Sequence, residues 1–532
     1  MTERWGKNAL LEQWQADGLT TVFGNPGTVE QGLLDALEHH PAFQYVLALQ
    51  ETVAIGIADG YARATAGPAL VQLHTGVGLG NGIGMLYQAM RGHSPLVVIA
   101  GEAGVKYDAM DSQMATDLVA MARPVTKYAT RVTHPDSLLR VMRRAVKTAM
   151  TEPRGPVFVA LPMDVLDAVN TEYATRSTIP SRAVRPVPDE LDRAVAALDG
   201  ARNPIILMGD GISVSGAQRE LVRVAEALRA PVWGLDNSEL NMDNRHPLYR
   251  GQLGHMFGSV SRRVVADADA VLIVGTYTFP EVFPELADPF AEQARIVHID
   301  LDDYEIAKNF PVDVALVADP KATLAALADR LGAPVDPAPS PLWTPPALTA
   351  ASPLIEHLSA ALAAHTDDLV LFDEALTASP GLLSHLPQHV PGNYFLTRGG
   401  SLGIGIPGAI GAKIARPEAT VVGVTGDGGS MYTIQALWTA ARYGVAAKFV
   451  ICNNYRYQLL DLNIEQYWQD SGVPSHRHPD GFDLRRPDIS FVDLAKGLGV
   501  EALRVEEVSQ VEPAVRKMLD HDGPFLIDLL TA

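Results

Sequence analysis

Short apolar runs alternate along this chain with stretches in which apolar residues recur every three to four positions. The runs read as buried strands at Thr20–Phe23, Tyr45–Leu49, Ala69–Leu73, Leu96–Ala100 and Val157–Leu161. They resume at Pro204–Met208, Ala270–Val274 and Arg295–Ile299, and again at Leu369–Phe372, Val421–Val424, Phe449–Cys452 and Phe525–Leu529. The periodic stretches between them read as helices. One begins near Glu51, carries small residues at Ala54, Gly56, Ala58 and Gly60 that allow close approach to a neighbour, and stops near Gly67-Pro68. Another follows Gly428-Gly429, with Met431, Ile434, Leu437, Trp438 and Ala441 at helical spacing and Gly444 as its stop. Thr28-Val-Glu-Gln31 fits a capping box. His74 to Asn81 and Arg398 to Ile410 read as glycine-rich loops.

Strands alternating with helices predict parallel sheets. Two stretches read as linkers: Thr171–Pro188, with several Pro, Ser and Arg residues, and Gly332–Ala350, rich in Pro and Ala. The expected fold class is therefore α/β, with three doubly wound parallel-sheet domains at residues 1–170, 188–332 and 350–532. Asp470–Pro487 has little periodicity and is a candidate active-site lid.

Composition narrows the partners. The 532 residues suit about three domains. The net charge is −20 and no basic block occurs, which argues against nucleic acid or an anionic membrane as a partner. Anionic ligands must then be captured locally. Cys452 is the only cysteine, so no disulfide framework is expected. The N-terminal residues lack the apolar core of a signal peptide and no apolar run is long enough to span a bilayer, so the expected location is cytoplasmic.

The chemistry concentrates around Gly426-Asp427-Gly428-Gly429-Ser430. A strand, this turn, a helix and a second strand carry Asp427 and Asn454 to one sheet edge, beyond the carboxyl ends of the strands where open α/β sheets bind ligands. Asp427 offers a carboxylate, Asn454 an amide oxygen, and the carbonyl of Arg456 a third oxygen. Few protein oxygens, with phosphate and water filling the rest, suit Mg²⁺. The turn amides and the helix start suit phosphate. A GDG triplet alone is more often structural, and Gly209-Asp-Gly211, with no Asn pair at the right distance, is read that way. GDG followed after twenty-four residues by Asn453-Asn454, with strand-helix-strand between, is specific.

On these motifs the chain resembles the thiamine diphosphate (ThDP)-dependent 2-oxo-acid decarboxylase and acetohydroxyacid synthase superfamily along its whole length. It most resembles the benzoylformate decarboxylases, in Thr21-Val-Phe-Gly-Asn-Pro-Gly27, Leu47-Ala-Leu-Gln-Glu51, Gly56-Ile-Ala-Asp-Gly-Tyr-Ala62, His93-Ser-Pro-Leu96 and Ala436-Leu-Trp-Thr-Ala-Ala441. The resemblance implies ThDP and Mg²⁺ as cofactors. It implies a pyrimidine-binding first domain, a diphosphate-binding third domain, and active sites between the subunits of a homodimer or homotetramer.

It also implies roles. Glu51 would hydrogen-bond the pyrimidine and drive proton exchange, although by position alone it is a helix-start carboxylate. Leu402 would be the apolar wedge beneath the cofactor, and the Gly400 carbonyl would accept from the pyrimidine amino group. Gly428, Gly429, Ser430 and Thr377 would contact diphosphate. His74 would move protons and Thr28 would meet the substrate carboxylate, against the simpler readings of a structural histidine and a helix cap.

There are departures from the benzoylformate decarboxylase pattern. Val282 or a neighbour stands where a second histidine is expected, and Leu396 and Asn463 replace pocket aromatics. Arg398 fits either a clamp for a second substrate carboxylate or a surface ion pair. Gln113 and Gly251-Gln-Leu-Gly254 resemble the synthase branch. The expected reaction is non-oxidative decarboxylation of a 2-oxo acid through a C2-carbanion and enamine, giving an aldehyde. The alternatives are an acetolactate-synthase-like carboligase, a flavin-dependent oxidase and a non-catalytic cofactor-binding protein.

Overall fold

The computed structural model describes residues 4–235, 237–332, 343–366 and 368–531. Most of the second linker, at 333–342, lies outside the described residues. The chain builds three six-stranded parallel sheets. The first contains β1 (Thr21–Gly24), β2 (Gln44–Leu47), β3 (Ala69–Leu73), β4 (Leu96–Glu102), β5 (Tyr128–Arg131) and β6 (Val157–Pro162), in the order β2-β1-β3-β4-β6-β5. The second contains β7 (Pro204–Met208), β8 (Val232–Leu235), β9 (Tyr249–Leu253), β10 (Ala270–Val274), β11 (Arg295–Asp300) and β12 (Val314–Val317), in the order β12-β11-β10-β7-β8-β9. The third contains β13 (Leu369–Glu374), β14 (Tyr394–Leu396), β15 (Thr420–Gly426), β16 (Lys448–Asn453), β17 (Glu501–Val505) and β18 (Phe525–Leu530), in the order β14-β13-β15-β16-β18-β17.

The inner strands β3, β6, β7, β10 and β16 are buried at every position. Helices cover both faces of such sheets, so these strands are written as continuous apolar runs. The edge strand β12 instead alternates buried and exposed residues.

The chain packs as two compact units. One holds the residues up to Ile179, Ala347–Leu386 and everything from Gly399 on; the other holds Pro180–Pro346 and Pro387–Arg398. Six helices of the first unit position its chemistry: α1 (Gln31–Glu38), α2 (Glu51–Thr65), α3 (Thr75–Arg91), α4 (Gly405–Ala415), α5 (Asp427–Ser430) and α6 (Ala436–Tyr443). The small residues of α2 have the expected purpose. A Cβ on Gly60 would lie 2.0 Å from the Gly408 carbonyl oxygen, and one on Gly411 would lie 1.9 Å from that of Ile57. Thus α2 and α4 touch backbone to backbone, and the first sheet's helix layer is joined to the third's. A second tie closes the free edge of β2: Tyr443 of α6 donates to the Tyr45 carbonyl and accepts from Leu47 N–H, while Thr439 donates to the Leu47 carbonyl. Side chains thus satisfy an edge strand that would otherwise offer its backbone to other chains.

Local expectations fail at four points. Thr28 caps nothing: α1 starts at Gln31 with Glu30 in the cap position and no side-chain cap, because the Glu30 carboxylate is turned inward to other partners. His74–Asn81 is not a loop but the start of α3, whose glycines leave space for side chains packed against it. The Arg398–Ile410 stretch turns helical from Gly405. The helix expected from Met431 is split, with α5 ending at Ser430, turns through 431–435, and α6 beginning at Ala436. Gly444 does end it, in the left-handed conformation.

Candidate functional site

Strands β15 and β16 pair in parallel register, Gly426 opposite Cys452, so their carboxyl ends deliver Asp427 and Asn454 side by side. The Asp427 carboxylate is almost wholly buried and held by backbone amides: Gly428 N–H donates to Oδ1 at 2.8 Å and Asn454 N–H to Oδ2 at 3.2 Å. Burial pushes its carboxyl up; the amides of Gly428, Tyr455, Asn454 and Arg456 oppose that. The Asn454 amide is fixed at both ends. Its Oδ1 accepts from Arg456 N–H at 2.9 Å, and its Nδ2 donates to Gln458 Oε1 at 3.0 Å. The same Gln458 oxygen accepts from Thr377 Oγ1 at 3.0 Å. Gln458 therefore ties Thr377 and Asn454 together, a role that its place after the motif does not signal.

The donor set is hard oxygen held by backbone. Among the described residues no three His, Cys, Asp or Glu side chains converge as a metal cage. A cation here would take a few protein oxygens and complete its shell from phosphate and water, which fits Mg²⁺ with a diphosphate. The turn leaves room for that anion, since a Cβ on Gly426 would meet nothing within 4 Å. Gly428 is confined instead, because a Cβ there would lie 2.3 Å from the Tyr457 ring. Ser430 is buried and its Oγ donates to the Asp427 carbonyl, which closes the turn. Gly429 packs beside Thr425, where a Cβ would lie 3.0 Å from the threonine Oγ1.

The stretch 399–403 carries the wedge candidate. Gly399, Gly400 and Gly403 all adopt left-handed backbone, at φ +84°, +76° and +99°. These conformations need glycine and hold Leu402 on a sharply turned segment. Gly400 faces open space. Gly399 packs on Arg91 and Ser401 lies beside Gly84, so the loop lies along the later turns of α3.

Glu51 sits at the other end of α3. It is the first residue of α2, where the Gln50 side chain accepts from Thr52 and Val53 N–H and caps the helix. Its carboxylate is 7% exposed and accepts from Asn81 Nδ2 at 3.0 Å. A Cβ on Gly78 would meet Glu51 Oε1 at 2.8 Å, so that glycine is what makes room for the carboxylate. His74 caps the same helix end, and Gly78 N–H donates to its carbonyl. The His74 ring bonds Glu30 Oε2 through Nδ1 at 2.9 Å, and Glu30 Oε1 accepts from Gly101 N–H at 2.8 Å. Burial raises the Glu30 carboxyl, and His74 and the Gly101 amide pull the other way. A Cβ on Gly27 would lie 1.8 Å from His74 Nδ1, so Gly27 is required under the ring. Thr28 is exposed on the same turn. Glu30 was legible in the sequence only as part of a helix cap, which hid its pairing with His74.

Two candidates remain. Gln113 is exposed on a segment that reaches α3 through Thr116, whose Cγ2 would lie 2.4 Å from a Cβ on Gly76. Arg398 belongs to the second unit and is not a surface ion pair: it is 7% exposed and its Nη1 donates to the buried Asp210 at 2.8 Å. Asp210 also accepts from the Ser238 hydroxyl and from Asn241 Nδ2. The Gly209-Asp-Gly211 turn thus has the structural role read from the sequence.

Comparison with known proteins covers the whole chain. The profile described as "Thiamine pyrophosphate enzyme, N-terminal TPP binding domain" matches residues 4–121, the corresponding central domain matches 191–327, and the C-terminal TPP binding domain matches 379–529. The sequence is 33% identical to a benzoylformate decarboxylase of Pseudomonas aeruginosa over 98% of each chain. It is 27% identical to a probable acetolactate synthase large subunit of Methanococcus aeolicus, over 98% of this chain and 91% of that one. Among solved structures, a thiamine diphosphate-dependent 4-hydroxybenzoylformate decarboxylase of Rhodococcus jostii RHA1 superposes with a TM-score of 0.90 at 31% identity, over 99% of both chains.

Proposed function

The chain belongs to the thiamine pyrophosphate enzyme family, and from that premise we propose that it is a ThDP- and Mg²⁺-dependent decarboxylase that converts a 2-oxo acid to an aldehyde and CO₂. The observation that carries this reading is the arrangement on α3. Gly78, which makes room for the Glu51 carboxylate, also donates its N–H to the carbonyl of His74, the N-cap of the same helix. A buried carboxylate and a carboxylate-oriented imidazole are therefore both anchored at the start of α3, and the two groups suit general acid–base chemistry on a small substrate.

The roles follow. Asp427, Asn454 and the Arg456 carbonyl hold Mg²⁺; Gly428, Gly429, Ser430 and Thr377 hold the diphosphate; Gly400 and Leu402 hold the ring system, with Glu51 on the pyrimidine. When bound, the cofactor supplies the electron sink that lets a 2-oxo acid lose CO₂. Glu51 holds and returns a proton at its carboxylate. His74 Nδ1 is fixed on Glu30, which leaves Nε2 to give or take a proton on the reacting oxygen or carbon. Thr28, on the turn that supports His74, offers a hydroxyl to the substrate carboxylate.

We assign the complete site to two copies of the chain. Glu51 packs on Gly78 while the 399–403 loop packs on Gly84 and Arg91 of the same helix. At 1.5 Å per residue these points are roughly 9–20 Å apart along the axis, too far to share one small ring system. Large apolar side chains beside both half-sites are also exposed in the single chain, including Leu49, Val77 and Tyr432. A second copy that brings its 399–403 loop to this Glu51 supports a homodimer or homotetramer.

The acetolactate synthase relatives and Gln113 favour a second reading, in which the decarboxylated fragment is joined to another carbonyl compound. One experiment separates the two. The purified protein with ThDP and Mg²⁺ is offered a panel of 2-oxo acids, with and without an added aldehyde, and CO₂ and organic product are followed together. Aldehyde in step with CO₂ supports decarboxylation. CO₂ release that needs an acceptor and yields a 2-hydroxyketone supports carboligation. No CO₂ from any 2-oxo acid would defeat both.

A further inference from the structure

We propose that Glu374 is a positioning residue that locks the two cofactor-holding segments of the third sheet to each other. The proposal rests on the reading that 399–403 and 426–430 hold the cofactor. Glu374 ends β13 and is 1% exposed. Its Oε1 accepts from Gly403 N–H at 2.6 Å and Ile404 N–H at 3.2 Å. Its Oε2 accepts from Gly405 N–H at 2.8 Å and from Thr425 Oγ1 at 2.9 Å.

Three of these donors begin α4, and a carboxylate capping a helix start is a sufficient account of them alone. The fourth is not explained that way. Thr425 belongs to β15 and directly precedes the Gly426-Asp427 turn. Gly403 directly follows Leu402 and donates from a left-handed conformation. Glu374 therefore grips the chain one residue from the wedge on one side and one residue from the diphosphate turn on the other. There is no slack in between. A Cβ on Gly405 would lie 3.0 Å from Glu374 Oε2, and one on Gly429 would lie 3.0 Å from Thr425 Oγ1. Thr433 Oγ1 donates to the Gly403 carbonyl at 2.7 Å and closes the same knot from the far side of the turn.

Burial raises the Glu374 carboxyl, and the four donors oppose the shift. Four donors aimed at two oxygens call for an acceptor-only group, which an ionised carboxylate is and an amide is not. Glu374→Gln would keep the volume but turn an NH₂ toward N–H groups, and would release the two segments from each other.

The test uses the full-length protein reconstituted with ThDP and Mg²⁺. Three quantities are read: the Kd for ThDP, the exchange rate of the cofactor's C2 proton into D₂O at saturating cofactor without substrate, and the melting temperature of the cofactor-free protein. Glu374→Gln is expected to weaken ThDP binding and slow C2 exchange by about tenfold or more, the range seen when an orienting outer contact is lost. Thr425→Val, which removes one donor and leaves the carboxylate, is expected to move both in the same direction by about threefold. A helix cap alone would lower the melting temperature and leave the saturated exchange rate unchanged. If both quantities stay within about twofold of wild type in the folded variants, the proposal is overturned. If Glu374→Gln does not fold, Thr425→Val decides by the same criterion. Wild-type protein that binds no ThDP would overturn the cofactor reading itself, whereas wild-type binding with unaffected variants overturns only the role of Glu374.

Discussion

Asn81 Nδ2 donates to Glu51 Oε2 at 3.0 Å while Gly78, three residues earlier on the same helix, leaves the space that Glu51 Oε1 occupies. The first turns of α3 thus both hold and aim this carboxylate. Glu51→Gln keeps the shape and removes the exchangeable charge, so turnover is expected to fall at least 100-fold, within the range for lost general acid–base catalysis, while ThDP still binds. Gly78→Ala should also reduce turnover, because its methyl must displace the Glu51 carboxylate. Steady-state rates with separate cofactor titrations check both. Substantial activity in Glu51→Gln would remove the proton role from this residue.

Gln458 accepts from both Thr377 and Asn454, and so fixes the amide of a proposed metal ligand. Its replacement by Ala is expected to weaken Mg²⁺-dependent reconstitution by about 10- to 100-fold, and Asp427→Ala to abolish it. Titrating apoprotein with Mg²⁺ at fixed ThDP measures this. Equal Mg²⁺ dependence in wild type and Gln458→Ala would assign Gln458 to helix packing alone.

The buried pair Asp210–Arg398 makes a stability prediction. Burial alone would raise the Asp210 carboxyl, but Arg398, Ser238 and Asn241 together hold it below the usual carboxylate range. A carboxylate lowered in the folded state stabilises fully above its unfolded value of about 3.9, and that contribution is lost as the pH falls through the lower, folded value. Asp210→Ala leaves a buried guanidinium with its main partner removed and should cost about 3–5 kcal/mol at neutral pH. Denaturation at pH 7 and in acid checks this, with the difference between variant and wild type shrinking as the acid limit is reached. A cost that does not shrink would mean that packing, not charge, sets the effect.

How much of this is legible in advance follows from where the information lies. Strand positions are legible because doubly covered strands are written as unbroken apolar runs: Pro204–Met208 and Ala270–Val274 coincide with β7 and β10. The boundaries of α3 and α4 are not, since Gly76, Gly78, Gly82, Gly405 and Gly408 are there to admit Glu51, Ile55, Thr116, Phe372 and Thr425 from other elements, and glycine reads as a loop when those neighbours are unknown. The Glu30–His74 pair and the Gln458 bridge join residues far apart in the chain or near a motif without being part of it. Arg398 stands out in the sequence as a charge with a partner to find, but that partner, Asp210, lies 188 positions earlier.

The candidate lid carries a pH dependence of opposite sign. His478 lies in the aperiodic stretch and bridges back to the helix Gln458–Asp470, with Nδ1 on Asp461 at 2.6 Å and Nε2 on Glu465 at 2.7 Å. Arg456 also faces Asp461, Ser475 faces Glu465, and the rings of His476 and His478 pack on Trp468. The hydrogen bond to Glu465 raises the His478 pKa, with Asp461 adding to it. A raised histidine pKa means that the latch is fully formed below the unfolded value of about 6.5 and is lost as the pH rises through the higher, folded value. Tryptic cleavage after Arg477 or Arg485 should therefore accelerate from pH 7 to 9 in the wild type, relative to His478→Gln, in which the latch cannot be charged at any pH. Cleavage rates that rise in parallel for the two proteins would reflect the protease alone and would leave His478 as an ordinary surface residue.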